Sequence, residues 1–130
     1  MPATAQKSAH QAHEQTVKIL YGESDETTLF AQAAEIGKAG HQVTTALNRQ
    51  GVLEALRRDT FNLVILGATL SKDDRHHLPY MVRKSNAGTK TVVMQALTHH
   101  HEVDAAIDPT QSMPRILEKI AALVHSPSLA

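Results

Sequence analysis

Cysteine does not occur among the 130 residues. That removes disulfides, thiolate metal ligands and cysteine nucleophiles, and it suits a reducing compartment. Aromatic residues make up only 3% of the chain, too few for a base-stacking platform. Neither sign of charge dominates: 13 Lys and Arg face 13 Asp and Glu, with no basic stripe for a phosphate backbone. Nucleic acid is therefore not an expected partner. No apolar run approaches the roughly 20 residues that span a bilayer. Residues 1–15 are polar and rich in Ala, Gln and His, without the apolar centre of a signal peptide. A membrane is not expected either, and the expected location is the cytoplasm.

What is present is a regular alternation. Phe61-Asn62-Leu63-Val64-Ile65-Leu66 is a branched, apolar run stopped by Gly67, as in a strand buried on both faces at the centre of a parallel sheet. In such sheets ligands bind just past the carboxyl ends of the central strands, which puts Gly67 where chemistry would be done. Before it come a strand at 17–21 ended by Gly22, a helix capped by Ser24 or Asp25 and closed by Gly40, a short strand at 42–46, and a helix capped by Asn48. After it, Asp73 or Asp74 caps a third helix. Pro79 kinks that helix if it starts at Asp74 and suits it if it starts near Leu78. A fourth buried strand spans 91–96, a fifth ends at Ile107, and a final helix follows Ser112 with Ile116, Leu117, Ile120, Ala121 and Val124 on its buried face.

One crossover is abnormal. Only Thr98 to Asp104 separate the fourth strand from Ala105-Ala106-Ile107, whereas a helical crossover takes at least about 10–12 residues. The fourth helix is expected to be missing or very short. The domain spans 16–125, between a flexible amino-terminal tail at 1–15 and a carboxyl-terminal tail at 126–130.

Five alternations in this order resemble the receiver domain of bacterial two-component response regulators, from about Val17 to Val124. Val17 to Ser24 is similar to that family's first strand, which ends in an acidic pair. Phe61 to Gly67 is similar to the third, which ends in the aspartate that takes the phosphoryl group. Val92 to Leu97 is similar to the strand ending in a switch Ser or Thr, and Ile107-Asp108-Pro109 to the Lys-Pro signature. The resemblance implies a flavodoxin-like (βα)5 sandwich of the α/β class with a five-stranded parallel sheet in the order 2-1-3-4-5.

Residue by residue, the implied phosphorylation site is degenerate. Glu23 keeps one acid of the metal-holding pair and Ser24 replaces the other; Gly67 stands for the acceptor, Ala96 for the switch hydroxyl and Asp108 for the lysine. Phosphoryl transfer needs an oxygen nucleophile, a hard cation held by carboxylates and a positive charge on the transferring group. The nucleophile is missing, the metal site is halved and the cation is replaced by an anion. The expectation is a pseudo-receiver, not an enzyme and without a cofactor. It works by contact with a protein partner or homodimer mate, since no output segment fits in the remaining residues. Leu97, Val103 and Ile107, on the rim left by the lost helix, form the expected interaction surface together with the fifth helix.

Other readings attach to the histidines and acids. His99, His100, His101 and Glu102 follow the fourth strand on the same rim as Gly67, near His76, His77, Asp73 and Asp74, and could ligate zinc. Three adjacent loop histidines cannot all face one ion, so a solvated loop is the default and no metal is expected. His10 and His13 lie in the tail and read the same way. The nine histidines would also titrate across physiological pH. Asp73 and Asp74 as replacement acceptors are better explained as helix caps. Gly22 and Gly67 could make room for a nucleotide or flavin, but no Gly-rich phosphate loop accompanies them.

Overall fold

A computed structural model of the chain describes residues 17–94, 105–107 and 113–125. The order is β1 (Lys18–Glu23), α1 (Glu26–Lys38), β2 (Gln42–Leu47), α2 (Asn48–Arg58), β3 (Leu63–Leu66), α3 (Lys72–Ser85), β4 (Lys90–Met94), β5 (Ala105–Ile107) and α4 (Met113–His125). The strands form one parallel sheet in the order β2-β1-β3-β4-β5. This is the flavodoxin-like arrangement expected from the alternation. Whether a helix bridges β4 and β5 falls on residues 95–104, outside the described ones.

Alternation along the strands divides the core into two layers. Ile19 and Tyr21 of β1, Leu63 and Ile65 of β3, and Val92 and Met94 of β4 pack against Leu29 and Ile36 of α1 and Ile116 of α4. Leu20, Val64, Leu66 and Val93 pack on the other face against Val52 of α2 and Leu78 and Val82 of α3. All four residues of β3 are fully buried, as the unbroken apolar run requires of a central parallel strand.

Several boundaries differ from the sequence reading, each for a local reason. β1 does not stop at Gly22 but carries Gly22 and Glu23 in register with Ala46 and Leu47. Gly22 is there for clearance: a Cβ on it would lie 2.6 Å from Cγ2 of Val52, so α2 can approach β1 only over a glycine. Asn48 does not cap α2. β2 runs into α2 with no intervening residue, and Asn48 makes that turn at φ +65°, a left-handed conformation Asn tolerates better than most residues. The cap position falls to Leu47, which has no side chain to serve it.

Of the two candidates for α1, Asp25 is the cap, accepting from the Thr28 amide at 2.9 Å. The Thr28 hydroxyl and then its amide hold the Asp25 carboxyl below its usual range. Gly40, at φ +98°, closes the helix as expected. α3 is capped by Ser71, not by Asp73 or Asp74, with the Ser71 hydroxyl accepting from the Asp74 amide at 3.0 Å. The two aspartates sit in its first turn, where they complement the helix dipole. α3 starts at Lys72, two residues before Asp74, so Pro79 lies in its interior and is buried, and the start near Leu78 is not the one taken.

Candidate functional site

The register of β1 and β3 builds the mouth of the sheet. Tyr21 pairs with Ile65 and Gly22 with Leu66, and the Gly67 amide donates to the Gly22 carbonyl at 2.8 Å. One step further along the ladder sets Glu23 beside Gly67. By alternation both point to the face that Tyr21 and Ile65 share. Gly67 is not a glycine for its backbone, because Gly40 alone among the described glycines has positive φ. It is a glycine for space: a Cβ there would fall inside Cδ, Oε1 and Oε2 of Glu23. The Glu23 carboxylate thus lies across the position where a side chain of residue 67 would begin.

Three donors fix that carboxylate. The Thr69 amide and hydroxyl donate to Oε1 at 2.9 and 2.6 Å, and the Tyr21 hydroxyl donates to Oε2. The Thr69 oxygen in turn accepts from the Ser24 and Asp25 amides at 2.8 and 3.0 Å. One threonine therefore ties the end of β1 to the loop leaving β3. Glu23 is buried at 2% exposure, and Tyr21 is buried beneath it. Burial pushes the Tyr21 phenol far above its usual range, helped by its bond to Glu23 and by the negative charge there. The arrangement satisfies a buried acid internally and sets its carboxylate in the space over Gly67.

Thr69→Val keeps the shape of the side chain and removes the hydroxyl. It is expected to lower unfolding stability by about 1–2 kcal/mol, because one buried acceptor and two backbone donors lose their partner. Urea unfolding measures this, and Thr69→Ser should recover most of the loss.

Of the residues singled out in the sequence, Glu23 and Gly67 are brought together and Ser24 joins them through its amide. Asp74 is turned to Arg49 at 3.5 Å, while Asp73, His76 and His77 lie exposed on α3. Among the described residues no three His, Asp or Glu side chains gather to hold a metal ion. Ile107 pairs with Met94 through the backbone of β5. Ala96, Leu97, His99, His100, His101, Glu102, Val103 and Asp108 lie outside the described residues, as do the tails.

Two members of the network, Tyr21 and Thr69, are not apparent from spacing alone. The available signal is combinatorial: in the order 2-1-3-4-5, strands one and three are neighbours, so an acid ending one and a glycine ending the other invite a side chain to cross.

No family model matches the chain, and no curated protein matches it in sequence. Solved structures do match in shape. A two-component response regulator from Clostridium difficile superposes with a TM-score of 0.72 at 16% identity, covering 84% of this chain and 96% of that one. A CheY-like response regulator receiver domain protein from Methanospirillum hungatei gives 0.71 at 20% identity, over 82% of this chain and 92% of that one. The non-phosphorylated HemR receiver domain from Leptospira biflexa gives 0.72 at 16% identity, over 87% and 98%. No helix among the described residues is long and apolar enough to cross a membrane. In shape and extent, this chain has the receiver-domain fold of response regulators.

Proposed function

We propose that this protein is a receiver-like module of two-component or related signalling that works without phosphorylation, through contact with a protein partner in the cytoplasm, and is not an enzyme. One observation carries the reading: the Glu23 carboxylate occupies the space over Gly67 and is already bound by Thr69 and Tyr21. An acceptor needs a free oxygen nucleophile there, and the cation that assists it needs free carboxylate oxygens. Gly67 supplies no oxygen. Those of Glu23 are committed to internal donors, and their negative charge repels an approaching phosphoryl group.

The test is a backbone amide NMR titration of the full chain with magnesium and beryllofluoride, which mimics a bound phosphoryl group. The amides of Glu23, Gly67 and Thr69 are expected to stay where they are. Saturable shifts clustered on those three would overturn the reading, as would phosphoryl incorporation from acetyl phosphate. Asp108 and Ala96, in place of a cation and a switch hydroxyl, belong to the same proposal, with Leu97, Val103 and Ile107 as part of its contact surface.

A further inference from the structure

The opposite end of the domain carries a feature that this reading does not use. α2 and α3 follow β2 and precede β4 on the same face of a parallel sheet, so both run back toward the amino-terminal edge of the strands. Between their carboxyl-terminal halves lies an open groove of about 310 Å3, lined by Leu53, Leu56, Arg57, Met81, Lys84 and Ser85. Each helix presents an i, i+3, i+4 triplet to it. Leu53, Leu56 and Met81 are half-buried and form an apolar floor; Arg57 and Lys84 are exposed on the rim. The Ser85 hydroxyl donates to the Leu56 carbonyl at 3.3 Å and ties the two walls together.

The charges around this groove are of one sign. On α2, Glu54 and Arg58 pair with each other at 3.7 Å and line a separate cleft with Thr44, Thr45 and Phe61. Arg57 has no carboxylate partner among the described residues, and neither do Arg83 and Lys84. Lys84 instead lies 5.6 Å from the ring of Tyr80, itself 47% exposed. Asp73 and Asp74 are at the far end of α3. Helix dipoles account for basic last turns on α2 and α3. They do not account for an open apolar channel lying between those turns.

We infer that the α2–α3 groove docks an acidic amphipathic helix from a partner protein. Its apolar side chains seat on Leu53, Leu56 and Met81, and its carboxylates meet Arg57 and Lys84. The inference rests on the protein-contact reading above and gives it a location. Concavity favours a helix ridge over a flat lipid surface, since the floor is reached only by side chains that project into the channel.

The experiment uses the full 15N-labelled chain and a synthetic peptide of about 14 residues, long enough for a helix on contact, with Leu on one face and Glu on the other. Two controls accompany it: the same peptide with Lys for Glu, and phosphatidylserine vesicles. The acidic peptide is expected to shift the amides of Leu53, Arg57, Met81, Lys84 and Ser85. Its affinity should fall about tenfold in the Arg57→Glu/Lys84→Glu variant and fall again as salt is raised from about 50 to about 500 mM. The basic peptide should leave these amides unmoved. No shift with the acidic peptide, equal shifts with both peptides, or binding to vesicles alone would overturn the inference. The same spectra report on the mouth: beryllofluoride shifts at Glu23 and Gly67 would sink the phosphorylation-independent reading while leaving the groove result standing.

Discussion

Gly67→Ala is expected to destabilise the fold by about 3 kcal/mol, although adding a methyl group to a strand-end glycine ordinarily helps. In an open extended position, replacing Gly by Ala stabilises by roughly 0.4–1 kcal/mol, because the unfolded chain loses freedom. Here the new Cβ falls inside the Glu23 carboxylate, and both ways out are costly. If Glu23 stays, the ends of β1 and β3 must spread in a core packed to near crystalline density. If Glu23 swings away, the amide and hydroxyl of Thr69 and the hydroxyl of Tyr21 lose their shared acceptor.

The companion variant separates this contact from a general intolerance at position 67. Glu23→Ala alone should cost about 2 kcal/mol through the orphaned donors. Glu23→Ala with Gly67→Ala should cost no more than Glu23→Ala alone, a coupling of at least about 3 kcal/mol in a double-mutant cycle read by urea unfolding. Additive losses would mean that the two residues do not share the space.

A second large effect is expected in alkali. Burial, and then the bond to Glu23 and its charge, raise the folded-state pKa of Tyr21 far above the unfolded phenol's value of about 10. Below about pH 10 the phenol keeps its proton in both states, and the stability linked to it is fully present. Above that, the unfolded chain releases the proton while the folded protein holds it. Stability should then fall by roughly 1.4 kcal/mol per pH unit. Tyr21→Phe removes this slope while costing about 1–3 kcal/mol at neutral pH, since the buried Glu23 loses a donor. The decisive quantity is the difference between the two stability-versus-pH curves, because every other group is common to both proteins. Parallel curves above pH 10 would show that the phenol is not held in its protonated form by the fold.

How much of this is legible in the sequence depends on the range of the interaction. The central strand is announced by Leu63 to Leu66, because burial on both faces demands an unbroken apolar run. Asp25 and Gly40 declare the ends of α1 through local backbone chemistry. Local rules fail where packing decides. Gly22 looks like a stop but lets Val52 approach, and Asn48 looks like a cap but turns a strand directly into a helix. Pro79 leaves two helix starts open in the sequence, and it is buried inside α3.

At the mouth, the sequence marks Glu23 and Gly67 as neighbours of two strand ends. What fills the gap was not legible. Glu23 and Thr69 meet across 46 positions, and their contact exists only once β1 and β3 are neighbours in a defined register. A short polar loop gives no hint that one of its hydroxyls serves a buried acid.

The pairing of Glu23 with Gly67 also fixes the order in which change can happen. Gly67→Asp would meet the same collision as Gly67→Ala, with a second negative charge added beside the first. Shortening Glu23 beforehand clears the space, but that step surrenders the hydrogen bonds of Tyr21 and Thr69 with nothing gained. Each path crosses a less stable intermediate, so packing holds Glu23 and Gly67 together as a pair. Neither residue changes freely while the other stays, and the first change carries the cost.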